Sequence, residues 1–356
     1  MGFRIEQMKK ITSLVIEKKK QRYDALIGTG GIGSGMFIEL EGNHTLGREE
    51  SRGGRILNRR DYCKLHIISH YIAVLLGKNF RVFPIGYVGE DVTGERLSKE
   101  MEDAGMDMRF VMKLRNEQTL FSVCFTYPDK SGGNITTNDS ACSRVTPATI
   151  RQAIPIAKKY GMRTIVMAVP EVPLKARMEL IKIGSKYKCF RTASFTSGEM
   201  TWVRQNKILK NIDYLAINIH EASLLCGISG ETKPEKIVAR AFSFLSENYP
   251  QIICSITAGK IGSWVKEGEI ISNMKPVPVK VASTAGAGDA FMSGMMTGIV
   301  CGLSIKDSHM LANLVSSMSV MSPHTINTDI NSCSILALTR KHRIKISEEL
   351  LKVLGG

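Results

Sequence analysis

No two cysteines of this chain stand in the C-x-x-C spacing that zinc or thiol–disulfide chemistry uses, although the sequence holds eight. Cys63, Cys124, Cys142, Cys189, Cys226, Cys254, Cys301 and Cys333 are scattered, as reduced core residues of a cytoplasmic protein would be. Long apolar runs are missing as well. Stretches such as residues 165–170 are far too short to cross a bilayer, so no membrane span is expected. The basic N-terminal segment lacks an apolar stretch followed by small residues, which argues against a secretory signal, and Glu6 stands where N-myristoylation needs Ser or Thr. Proline-rich tracts, serine-rich tracts and internal repeats are also absent, so no long disordered linker is called for. Acidic residues are outnumbered: 33 Asp and Glu against 48 Lys and Arg leave a formal charge of +15. The densest basic clusters, residues 9–22 and 48–60, carry no interleaved aromatics for base stacking, which argues against nucleic acid. Solvated surface or attraction of anionic substrates remains.

What the chain does have is a regular alternation of helix-period and strand-type segments. Phe3, Ile5, Met8, Ile11, Leu14 and Val15 recur at helical spacing among lysines, predicting an amphipathic leading helix over 1–22. Residues 23–31 then form a short apolar run ending in glycines, the pattern of a central parallel strand that feeds a ligand crevice. Helices are predicted over 62–76, 90–104, 147–160, 173–187 and 199–210. Strands are predicted over 80–87, 163–169, 189–195, 213–218, 252–257, 262–266 and 269–274. Two long helices follow Gly286 and Ser304. Residues 110–114, 120–127 and 134–137 read as β segments of a small side sheet. Strands separated by helices imply right-handed crossovers and helices on both faces. The expected architecture is therefore α/β: a three-layer α/β/α sandwich with a mostly parallel central sheet. It spans 23–345, with a β lid from about 35–60 and 110–137 and a C-terminal tail over 346–356.

The most informative stretch is Ser283-Thr284-Ala285-Gly286-Ala287-Gly288-Asp289-Ala290-Phe291, which lies where a β-type run gives way to a helix. Such a turn leaves backbone N–H groups unpaired at a positive helix end, which suits a phosphoryl group in transfer. Gly286 and Gly288 let an anion approach the backbone, with Ala287 between them. Asp289 would then face the acceptor hydroxyl as the base, since phosphoryl transfer asks of its base chiefly orientation and a late proton. Taken alone, the same residues are better described as an acid at an ordinary helix start, since glycine plus a capping acid is common there.

T-x-G-A-G-D-A-F closely resembles the C-terminal signature of the ribokinase-like (PfkB) carbohydrate kinases. Two further stretches resemble motifs of that family in the expected order. Asn218-Ile219-His220-Glu221 is similar to its N-x-x-E motif, and Ser255-Ile256-Thr257-Ala258-Gly259-Lys260-Ile261-Gly262 to its T-x-G-x-x-G motif. Ile85–Asp91 matches the family's G-x-V-G-x-D segment. The resemblance covers roughly residues 23–340. It implies a kinase that moves the γ-phosphoryl of ATP, with Mg²⁺, to an alcohol of a sugar, sugar acid or sugar phosphate. Asp289 would be the base and Gly286, Ala287 and Gly288 the anion hole. Asn218, Thr257, Gly259, Gly262 and Thr284 would line the nucleotide, with Asn313 a candidate for bordering the adenine. Glu221 and Asn218 would serve the metal through water, since Mg²⁺ prefers oxygen ligands and keeps several waters. The resemblance also implies pairing of two copies through the lid. A nucleoside kinase, or a nucleotide-binding pseudoenzyme or regulatory protein of the same fold, is the alternative.

The sequence departs from the family pattern on the acceptor side. Where the family commonly places an Asp after the first strand, this chain reads Gly28-Thr29-Gly30-Gly31-Ile32-Gly33-Ser34-Gly35. Where a G-G-x-x-x-N sugar motif should precede the next helix, it reads Asp61-Tyr62-Cys63-Lys64-Leu65-His66-Ile67-Ile68. Arg48, Arg52, Arg55, Arg59 and Arg60 are candidates for gripping a phosphorylated or acidic sugar, because guanidinium forks suit such groups, although an arginine-rich loop is also commonly just solvated. No two of His66, His70, His220 and His324 share a ligand-like constellation with Cys or acidic residues, so core or surface roles are expected for them.

Overall fold

The computed structural model describes residues 13–129, 132–228, 230 and 233–356. Among these, a nine-stranded sheet runs β13-β12-β11-β10-β9-β8-β1-β4-β5. Its strands are β1 (Ala25–Thr29), β4 (Arg81–Gly89), β5 (Phe110–Leu114), β8 (Thr164–Ala168), β9 (Phe190–Ala193), β10 (Tyr214–Asn218), β11 (Ile253–Thr257), β12 (Ser263–Glu267) and β13 (Ile270–Met274). Pairing is parallel except along β11–β12–β13.

The inner strands β1, β8 and β11 are short, apolar and buried on both faces, as a sheet covered by helices on either side requires. Successive side chains go to opposite layers. Leu26 of β1 and Ile165 and Met167 of β8 enter one apolar cluster, with α1 (Lys64–Leu76), α9 (Ala287–Val300) and α10 (Ile305–Ser319). Ala25, Ile27, Val166 and Ala168 enter the other, with α5 (Leu174–Lys186), α7 (Ile219–Cys226) and α8 (Pro234–Asn248). This is the expected three-layer sandwich, and β1 lies inside it, between β8 and β4.

A second sheet, β3-β2-β6-β7, is built from β2 (Gly33–Leu40), β3 (Gly54–Tyr62), β6 (Leu120–Thr126) and β7 (Gly132–Thr136), within the segments expected to supply a lid. Phe110–Leu114, expected in this side sheet, instead pairs with β4 at the edge of the main one.

Other expected elements differ from the structure. Residues 1–12 of the leading helix lie outside the described residues, and Ser13–Arg22 carry no helix. That segment runs along the core, with Leu14 buried and the Leu14 and Val15 amides bonded to the Leu75 and Val353 carbonyls. The C-terminal residues are not a tail, since Glu348–Val353 is helical and buries Leu350. The single helix expected over 147–160 is two, Pro147–Arg151 and Ile154–Tyr160, and the 199–210 helix ends at Gln205 before a turn of 3₁₀ helix.

Candidate active site

The carboxyl ends of β1, β8, β9, β10 and β11 open toward one side of the sheet, and the parallel connections change direction around β1. Crevices at such a point are where open α/β sheets hold ligands. A small cleft of about 80 Å³ lies there, with Asn218, Glu221, Thr257, Gly288 and Asp289 along its walls together with Lys64 and Ser194. Asn218 and Thr257 end adjacent strands and are direct register partners.

Helix α9 begins with no side-chain cap. Gly286 holds the N-cap position at φ 78°, and a Cβ there would come within 2.8 Å of the Thr325 carbonyl oxygen, so only glycine fits. The Ala287 amide makes a long bond to the Thr284 carbonyl, 3.3 Å, while among the described residues the Gly286 and Gly288 amides find no backbone acceptor. A Cβ on Gly288 would meet nothing within 4 Å. The helix thus presents free donors to open space, and Asp289 stands in its first turn.

Asp289 is 15% exposed and accepts at Oδ1 from Lys64 Nζ at 3.2 Å. Lys64 opens α1, and its ammonium is held well above the ordinary lysine value, chiefly by the Asp289 carboxylate. Glu171, just after β8, accepts from the Lys64 amide at 2.9 Å and so caps α1 from outside it. Burial pushes the Glu171 carboxyl up to about 7 against the pull of Lys64. Asp61, at the end of lid strand β3, is 6% exposed and accepts from Ser122 Oγ at 2.7 Å; burial raises its carboxyl too. Arg177, 1% exposed and ion-paired with Glu199, donates to the Ser194 carbonyl at 3.4 Å and fixes the segment that follows β9.

Asn218 and Glu221 form a reciprocal capping box. Asn218 Oδ1 accepts from the Glu221 amide at 2.9 Å, and Glu221 Oε2 accepts from the Asn218 amide at 2.8 Å. Burial raises the Glu221 carboxyl. The donors around the cleft are hard oxygens, the kind Mg²⁺ takes alongside several waters. Among the described residues no group of three or more His, Cys, Asp or Glu forms a metal cage, so a magnesium ion here would share its shell with water and phosphate.

Other expected residues lie outside the cleft lining. Gly259 and Gly262, at φ 54° and 131°, shape the turn between β11 and β12, where Ala258 donates to the Gly262 carbonyl. Thr284 is exposed beside the α9 turn. Asn313 is 7% exposed, and its amide donates to the Lys275 carbonyl at 2.9 Å, holding the strand-to-helix connection. Lys64, Glu171 and Asp61 were not among the expected site residues. Lys64 and Asp61 sit in the segment that fails to match a sugar motif, and the readable signal for Glu171 is an acid just past the end of a buried strand.

The profile of the pfkB family of carbohydrate kinases matches residues 68–332. The chain belongs to that family. An uncharacterized sugar kinase of Archaeoglobus fulgidus is 25% identical to this kinase over 240 residues, 66% of this chain and 90% of that protein. Ribokinase from Cryptococcus neoformans var. grubii serotype A in complex with ADP superposes with a TM-score of 0.72 at 17% identity, covering 89% of this chain and 99% of the other. Arabidopsis thaliana ribokinase complexed with ribose and ATP superposes at 0.69 and 20% identity, covering 89% and 98%. The kinase therefore has the ribokinase-like fold. Among its described residues no helix is long and apolar enough to cross a membrane.

Proposed function

We propose that this kinase transfers the γ-phosphoryl group of ATP to an alcohol of a sugar or related compound in the cleft at the carboxyl edge of the main sheet. The observation that carries the reading is the shared cleft. Asp289, in the first turn of an uncapped helix, borders the same space as Asn218 and Thr257 at the ends of two adjacent strands.

In this reading the acceptor hydroxyl lies against the Asp289 carboxylate, which orients its oxygen toward the γ-phosphorus. The oxygen–phosphorus bond forms as the bond to the β-phosphate oxygen breaks, and the hydroxyl proton passes to Asp289 late in the step. The amides of Gly286, Ala287 and Gly288 donate to the oxygens of the group in flight, and the positive end of α9 favours their charge. The Lys64 ammonium, already beside Asp289, offsets negative charge in a cleft that otherwise gathers carboxylates. Thr257 and Asn218 border the phosphates, and Gly259 and Gly262 leave the backbone open along the nucleotide. Thr284 hydrogen-bonds at the α9 turn, while Asn313 acts indirectly, by fixing the Lys275 backbone. Mg²⁺, held by Asn218 and Glu221 through water, would neutralise phosphate charge.

Asp289→Asn tests the assignment. Removing the base while keeping the side-chain shape is expected to lower kcat by roughly 10²- to 10⁴-fold and to leave nucleotide binding intact. Unchanged turnover would move the base elsewhere. No turnover by the wild type with any acceptor, despite nucleotide binding, would favour the pseudoenzyme.

A further inference from the structure

Helix α10 packs against the β12–β13 hairpin and carries a polar side chain at every fourth position of its buried face: His309, Asn313 and Ser317, which are 0%, 7% and 4% exposed. Each holds a different point of the chain that runs from β12 to the start of α9. The His309 ring spans the two strands, with Nε2 bonded to Ser263 Oγ of β12 and Nδ1 to Ser272 Oγ of β13, both at 2.8 Å. One turn on, Asn313 donates to the Lys275 carbonyl at 2.9 Å, and one turn further Ser317 Oγ accepts from the Val277 amide at 3.1 Å. Beyond the helix end the Val320 carbonyl accepts from the Ala282 and Ser283 amides. Residues 275–283, which form no helix or strand of their own, are in this way led along α10 into the turn before Asp289.

His309 is the costly member of this series. An imidazole taken out of water loses free energy unless both ring nitrogens are bonded, and here both are. Burial holds the ring neutral, pushing it down from the ordinary histidine value to about 4. A neutral ring has one N–H and one bare nitrogen, so one serine accepts from it and the other donates to it. The ring also sits between the two walls of the candidate cleft. Ser263 is the direct register partner of Thr257 and follows the Gly259–Gly262 turn at once. On its other side the ring meets Phe291 of α9 edge to face, with centroids 5.6 Å apart, and Phe291 lines the cleft two residues after Asp289.

We propose that His309 is a positioning residue for nucleotide binding: through Ser263 it fixes Thr257 and the glycine turn against α9, and so sets the nucleotide wall relative to Asp289. Packing alone would be served by an apolar side chain at lower cost, whereas two short bonds to two different strands specify a geometry. The inference rests on the kinase reading above, because it takes Thr257 and the glycine turn as the nucleotide's.

The experiment compares His309→Gln with His309→Asn. A glutamine amide reaches about where Nε2 stands and keeps the Ser263 bond, while an asparagine amide reaches about where Nδ1 stands and keeps the Ser272 bond. Each variant leaves one buried serine unpaired, so their melting temperatures should fall alike. ATP binding with Mg²⁺, measured by calorimetry well below those temperatures, should not change alike. His309→Gln is expected to stay within about threefold of wild type and His309→Asn to bind roughly 5- to 10-fold more weakly, the worth of one hydrogen bond. Ser263→Ala and Ser272→Ala, which leave the histidine in place, should reproduce the same split, with only Ser263→Ala weakening ATP. Equal losses of ATP affinity in the Gln and Asn variants, or unchanged affinity in both, would overturn the proposal, leave His309 a packing residue and leave the kinase standing. The expected split in affinity, in a protein that releases no ADP with any aldose, sugar acid or sugar phosphate, would support the positioning role and overturn the kinase reading.

Discussion

Glu171 shows how one side chain can be tied both to the fold and to the site. Its carboxyl is raised from an ordinary 4.5 to about 7, because burial disfavours the charge more than Lys64 favours it. The folded protein therefore prefers Glu171 protonated. That preference contributes its full stability below about pH 4.5 and is lost as pH rises through about 7. Glu171→Gln keeps an oxygen for the Lys64 amide and removes the titration. The variant's melting temperature should stay flatter than the wild type's between pH 5 and 8, and should exceed it at pH 8 by roughly 1–2 °C per kcal/mol recovered. Parallel curves for the two proteins would show that the carboxyl titrates normally. This residue was not legible in the sequence, whereas Asp289, Asn218, Glu221 and Thr257 were singled out there through their resemblance to family motifs, and the fold brings all four to one cleft. Lys64 meets Asp289 across 225 residues of chain, and no local pattern encodes such a meeting.

At the scale of the element, the start of α9 separates two roles that glycine can play. Gly286 is required by the backbone: its φ of 78° and the Thr325 carbonyl oxygen 2.8 Å from a would-be Cβ make alanine there both strained and crowded. Gly286→Ala should cost about 1–3 kcal/mol and lower the melting temperature. Gly288 is different, since it lies in the helix with nothing within 4 Å of its missing Cβ. There alanine should stabilise the helix by roughly 0.5–1 kcal/mol, yet a methyl group would stand where the transferring anion approaches. Gly288→Ala should hold or raise the melting temperature while lowering kcat, and a fully active Gly288→Ala enzyme would show that no anion comes near. The long buried elements were legible because apolar runs ending in glycine read as parallel strands. What failed was pairing and packing. Phe110–Leu114 is a strand as expected, but only tertiary contact decides that it joins β4, and the Ser13–Arg22 and Glu348–Val353 segments take their form from the core they cover.

The whole molecule sets a long-range charge against a local one of opposite sign. The chain carries +15 formally, while Glu221 and Asp289 line the cleft beside Lys64, with Glu171 within electrostatic reach of Lys64 and Asp289. The two fields act over different distances. Surface charge draws anions from solution and is screened beyond a Debye length of about 10 Å at 0.1 M salt, whereas partly buried carboxylates facing a bound hydroxyl are screened far less. A nucleotide is anionic and should depend on the long-range attraction to arrive, and an uncharged acceptor should not. Raising the salt from roughly 50 to 300 mM at constant free Mg²⁺ should therefore increase KM for the nucleotide several-fold and change KM for the acceptor by less than about twofold. Equal salt dependence for both substrates would mean either that the acceptor is itself charged or that the basic surface lies too far from the cleft to act on what enters it. Titrating the protein with the acceptor alone at both salt concentrations decides between those two causes, because only a charged acceptor would itself bind in a salt-dependent way.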